Sequence, residues 1–186
     1  VETLFVDSMK MSTYLVAFVI GELEVTEVGS VGDTKIRIIH RPGFSHQTSF
    51  AGIAGMKILE FFENYYQIPY PGSKLDLIAI PDFAMGAMEN VGAVTFRESL
   101  LLIDESKATR QELSRSVSVI AHELAHMWFG DLVTMKWWDG IWLNEAFASL
   151  MESIAANGTY PEFEQWSEMN LSRSAGFGVD SLKNSR

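Results

Sequence analysis

Apolar residues recur along this chain at two spacings, and each spacing predicts a different element. Ile36, Ile38 and His40 alternate as a strand, and Leu75 to Ile80 reads as a second, more buried one. Ala93 to Phe96 and Leu100 to Ile103 are also strand-like. Phe50, Ala54, Ile58 and Phe61/Phe62 instead step by three and four, which predicts a helix ending before Pro69. Ahead of these, residues 12–20 form a continuous apolar run expected to be a buried strand, and residues 22–28 a more exposed one. Gly29-Ser30-Val31-Gly32-Asp33 then reads as a turn or boundary.

The second half is helical in pattern. Leu113, Val117, Ile120, Ala121, Leu124 and Met127/Trp128 define an amphipathic helix over about 110–129, opened by a Thr109/Glu112 capping box and stopped near Gly130. Ile141, Leu143/Asn144, Ala148 and Met151/Glu152 mark another over about 140–156. Strands first and helices afterwards predict an α+β domain.

The first of these helices carries the chemistry. His122 and His126 lie four apart, so both rings share one helix face and can offer nitrogens to a single zinc ion. Glu123 sits about 100° around the helix, outside the ligand shell but near the position of a reacting water that needs a general base. A third ligand is required. A metzincin would need glycine at 129 and histidine at 132, where this chain has Phe129 and Leu132, so that class is excluded. His40 and His46 lie far upstream beside Arg41-Pro42-Gly43 and read as structural or surface residues. Glu145, an acid amid apolar surface on the second helix, is the candidate. Asp139 reads as a helix cap and Asp131 as a turn residue.

His122-Glu123-Leu124-Ala125-His126, followed after eighteen residues by Glu145, resembles the gluzincin signature, and the string through Trp138 is similar to the zinc aminopeptidases of the alanyl/leucyl, puromycin-sensitive type. The resemblance implies one zinc ion per chain held by His122, His126 and Glu145, with Glu123 as base. Gly86-Ala87-Met88-Glu89-Asn90 matches the exopeptidase motif of that family. Glu89 would then pair with a free α-ammonium group while Gly86 and Ala87 let backbone approach the substrate. The implied fold is a thermolysin-like catalytic domain over residues 31–186, preceded by the tail of an N-terminal β domain over 1–30. The family's oxyanion-stabilising tyrosine would fall beyond Arg186, and Tyr160 reads as a packing residue beside Pro161. Met85 and Met88 are candidates for the side-chain pocket and equally for core filling.

Composition narrows the partners. A formal net charge of -10 disfavours nucleic acid, whereas cationic peptide N-termini suit an acidic site. No apolar run is long enough to span a membrane. Absence of cysteine rules out a disulfide framework and a thiol nucleophile and is compatible with a cytoplasmic location. The expected partners are peptides with a free N-terminus and the remaining domains of a longer enzyme. Three alternatives stay open: an endopeptidase with the same zinc chemistry, an epoxide hydrolase of the same family, and an inactive fragment or peptide-binding module.

Overall fold

The computed structural model describes residues 4–181. Residues 1–3 and 182–186, the outer ends of the two expected domains, lie outside the described residues. The chain forms a five-stranded mixed sheet and a set of helices, as the two spacings predict.

Strand β1 (Glu24–Val31) turns back through Gly32 and Asp33 into β2 (Thr34–His40), its antiparallel partner. Helix α1 (Ser49–Tyr66) crosses over to β3 (Lys74–Ile80), which runs parallel to β2. After the loop that follows β3 come the two-residue strand β4 (Ala87–Met88) and then β5 (Ala93–Arg97), giving the order β1-β2-β3-β5-β4. β5 is parallel to β3 and antiparallel to β4, so β4 forms one edge of the sheet. A short helix α2 (Glu98–Leu101) leads to α3 (Arg110–His126), α4 (Ile141–Thr159) and α5 (Gln165–Val179).

Alternation places Ile36 and Ile38, Leu75 and Leu77, and Val94 and Phe96 on one face of the sheet, in register across three strands. That face shares a single core with Ala51, Ala54 and Ile58 of α1, Val117, Ile120 and Leu124 of α3, and Ala148 and Met151 of α4. Burying so many aliphatic side chains, each worth about 1.5–3 kcal/mol, fixes α3 and α4 against the sheet and against each other. Phe62, Tyr66, Tyr70 and Trp128 add an aromatic cluster that anchors the end of α3 to α1. Tyr160 is buried against Phe50 and Phe163, the packing role expected of it.

Several expectations need correction. Residues 12–20 are not a buried strand: Thr13–Leu15 is a 3-10 turn, Leu15 is buried, and Phe18 and Ile20 are 83% and 96% exposed. Apolar content supplies no backbone partner, and this run pairs with no strand among the described residues. Leu100–Ile103 begins inside α2, where the Leu102 amide donates back to the Glu98 carbonyl at 2.7 Å, because a short apolar run fits a helical turn as well as a strand. The turn expected at 29–33 is confined to Gly32 and Asp33, and Gly29 is an irregularity inside β1. Residue 30 therefore falls within a strand that pairs along β2. α3 ends at His126, and Met127 to Phe129 tighten into a turn before Gly130. Asp139 makes no cap: α4 starts after Gly140 without a side-chain capping bond. His40 is wholly buried, sharing hydrogen bonds with Thr26 and the Arg41 carbonyl, while His46 is exposed on the face of Phe44.

Among the described residues no helix is long and apolar enough to cross a membrane.

Candidate metal centre

The start of α3 is fixed by the expected capping box: Thr109 Oγ1 accepts from the Glu112 amide, and the Thr109 amide donates to the Glu112 carboxylate at 2.8 Å. From that start, helical periodicity brings His122 and His126 to one face with their Nε2 atoms 3.2 Å apart. α4 packs antiparallel-wise across the loop and delivers Glu145, whose Oε2 lies 3.2 Å from His122 Nε2 and 3.8 Å from His126 Nε2. These three atoms form a triangle with a circumradius of about 2.0 Å, and zinc takes nitrogen and carboxylate oxygen ligands at about 2.0–2.2 Å. The donor set therefore fits zinc.

The rear nitrogens orient both rings. His126 Nδ1 lies 3.0 Å from the Phe129 carbonyl, which can only accept, so Nδ1 carries the proton and Nε2 is left as the free lone pair. His122 Nδ1 faces Glu152 Oε2 at 3.2 Å in the same manner. Burial opposes the charged form of His122, but hydrogen bonds to Glu145 and Glu152 outweigh it and push its pKa up to about 10. Burial pulls His126 below the usual imidazole value. Glu145 is held below the usual carboxylate range, first by its hydrogen bond to His122.

Glu123 belongs to a second cluster that shares His126. Glu89, Glu123 and His126 bring their polar atoms within 4.8 Å of one another, and all three are buried. Burial, reinforced by the nearby charges of Glu89, Glu145 and Glu152, pushes the Glu123 carboxyl up to about 8 against the pull of His122. The motif Gly86–Asn90 is thus brought to the metal face. Gly86 accepts from the Arg97 amide, Ala87 and Met88 form β4, and Asn90 is buried between the Leu15 carbonyl and Thr95. Met88 is half-buried and Met85 exposed.

Four neighbours were not singled out for the site from sequence. Glu152 lies seven residues, about two turns, beyond Glu145 on the same helix face, a spacing that could have found it. Asp131 is a buried carboxyl with no hydrogen bond to either oxygen among the described residues, and burial, then the charges of Glu89 and Glu123, push it up to about 8. Tyr14 comes from a distant turn and left no local signal, and Asn144, adjacent to Glu145 on α4, was read only as a position in the helix pattern. Gly130 makes the corner possible at φ +134, where an added Cβ would come within 3.1 Å of His126 Nδ1.

A sheet edge facing two helices that present a His, His, Glu triangle is the arrangement of a metallopeptidase, and the family model described as the Peptidase family M1 domain matches residues 50–186: the chain belongs to peptidase family M1. Over 182 residues it is 46% identical to the puromycin-sensitive aminopeptidase of Caenorhabditis elegans, a match covering 97% of this chain and 19% of that protein. It is 44% identical over 181 residues to aminopeptidase M1-A of Oryza sativa subsp. japonica, covering 97% and 21%. Against endoplasmic reticulum aminopeptidase 2 of Homo sapiens it is 50% identical over 160 residues, covering 86% and 17%. The chain thus spans about a fifth of the length of these curated relatives.

Proposed function

We propose that this chain carries the catalytic centre of a zinc aminopeptidase that removes the N-terminal residue from peptides, within a thermolysin-like domain. His122, His126 and Glu145 hold one zinc ion, Glu123 handles the proton, and Glu89 binds the free amine. The observation that carries this reading is that two clusters share His126: the triangle with His122 and Glu145, and the group with Glu89 and Glu123.

A zinc ion held there would act as a Lewis acid, polarising the scissile carbonyl and making water acidic enough to lose a proton near neutral pH. The chain's residues supply the rest. Glu123 accepts that proton as the water oxygen adds to the carbonyl carbon, and returns it to the leaving nitrogen as the C–N bond breaks. Glu89 pairs with the α-ammonium group and so counts one residue from the chain end. β4, the last strand of the sheet among the described residues, offers an edge along which an extended peptide can lie. The names of the curated relatives, all aminopeptidases, support the exopeptidase assignment over an endopeptidase. The absence of cysteine suits a cytoplasmic setting.

The test uses the natural full-length protein loaded with zinc. Glu123→Gln is expected to keep one zinc per chain and to lose turnover of a free-amine peptide by about 10²–10⁴-fold. Turnover near the parent value with zinc retained would overturn the assignment of Glu123.

A further inference from the structure

Tyr14 belongs to the 3-10 turn Thr13–Leu15, in a stretch whose sequence shows only apolar character, yet its side chain ends inside the candidate site. Its hydroxyl donates to Glu89 Oε1 at 3.0 Å. Asn144 Nδ2, on α4 next to Glu145, donates to the same hydroxyl at 3.5 Å. The Tyr14 ring packs edge-on against Trp138 with centroids 5.6 Å apart. One residue further on, the Leu15 carbonyl accepts from Asn90 Nδ2 at 3.0 Å, and Leu15 itself is buried. The turn is therefore fastened to the Gly86–Asn90 motif at two points and to α4 at a third.

Glu89 needs such a hold. It is buried, and the charges of Glu123 and Asp131 lie close enough to feel it. Wherever more than one of these acids is ionised, like-charge repulsion works against Glu89 keeping its place. Among the described residues, the side-chain hydrogen bond that opposes this comes from Tyr14. Burial and the adjacent Glu89 charge keep the phenol protonated well above the ordinary tyrosine range, so it remains a donor wherever an aminopeptidase would work.

We propose that Tyr14 is a positioning residue for the amine-binding carboxylate: its hydroxyl, held by Asn144 and Trp138, sets Glu89 at the distance from the metal face that selects a free N-terminus. This rests on the reading of Glu89 as the amine anchor. It makes amine recognition depend on a turn 75 residues upstream of the motif. Tyr14 does not touch substrate, and it acts through Glu89.

The experiment compares the parent, Tyr14→Phe, Glu89→Ala and the double variant in the zinc-loaded natural full-length protein. The probes are two hydroxamates that bind zinc, one with a free α-amine and one lacking it. Phe keeps the ring against Trp138 and removes the hydroxyl alone. Tyr14→Phe is expected to weaken the amine-bearing inhibitor about tenfold, leave the amine-free one unchanged, raise KM for a free-amine peptide more than it lowers kcat, and keep one zinc per chain. In the Glu89→Ala background the same change should add nothing. Equal weakening of both inhibitors, or a full further loss in the Glu89→Ala background, would mean structural damage and overturn the proposal. If Glu89→Ala abolishes amine preference while Tyr14→Phe retains it, the positioning role alone fails. If Glu89→Ala retains amine preference, the anchor reading fails and the role of Tyr14 falls with it.

Discussion

His122, His126 and Glu145 stand on two long helices whose inner faces are sunk in one core, whereas Glu89 follows a two-residue edge strand and is held by a hydroxyl from a distant turn. The metal wall owes its geometry to many nondirectional contacts, no single one of which fixes it alone. The opposite wall owes its geometry to a few hydrogen bonds: Tyr14 to Glu89, Asn90 to the Leu15 carbonyl, and Thr95 to Asn90. Metal affinity should therefore be robust to remote perturbation, and amine selection should not.

The largest effect that tests this contrast comes from a place where the metal wall also relies on a directional side-chain contact. Glu152 accepts from the rear nitrogen of His122 and fixes which nitrogen faces the metal. Glu152→Ala is expected to lower zinc affinity 10- to 100-fold, read by competition with a chelator, with the free-amine preference of the residual zinc enzyme intact. Unchanged affinity would show that helix packing alone orients His122, and would sharpen the contrast.

The same division explains what could be read from the chain. Helical periodicity places His122 and His126 together and predicts the capping box that fixes their phase, because these are relations between neighbours in sequence. Glu145 was accessible through the cost of an acid on an apolar helix and its eighteen-residue spacing from His126, and Glu89 through the Gly86–Asn90 motif, whereas its place beside the sheet edge comes from the strand pairing. Tyr14 was not accessible: its run is apolar, and what matters is one hydroxyl meeting a carboxylate 75 positions away. Leu100–Ile103 failed for another reason, since four residues are too few for period two and period 3.6 to be distinguished. Asp131 looked like a turn residue because its backbone is one, while the burial of its side chain depends on elements packed over it.

Asp131 gives the next test, on the crowded carboxylate side. With its folded-state pKa raised to about 8, the folded metal-free protein holds a proton that the unfolded chain releases near 4. Stability from this group is then full below about pH 4 and is lost as pH rises toward 8. Glu123, also raised to about 8, contributes with the same sign. Asp131→Asn removes its own titration, so the fall in unfolding free energy between pH 5 and pH 8 should flatten by up to about 1.4 kcal/mol per pH unit. Denaturant unfolding of the metal-free protein at the two pH values measures it, and an unchanged slope would show that Asp131 is ionised in the fold.

The smallest effect probes the robust wall from its far end. Thr109 caps α3 some thirteen residues before His122, a separation of about 20 Å along the helix. Thr109→Ala removes one half of the capping box and should cost about 1 kcal/mol locally, seen as roughly fivefold faster amide exchange in the first turn. If core contacts with Val117, Ile120 and Leu124 hold the rest of α3, that fraying stops before the histidines and zinc affinity stays within about twofold of the parent. A zinc affinity that falls in step with exchange at the cap would mean α3 moves as one body. The metal wall would then depend on a single directional contact at its start, as the amine wall depends on Tyr14, and the contrast between them would disappear.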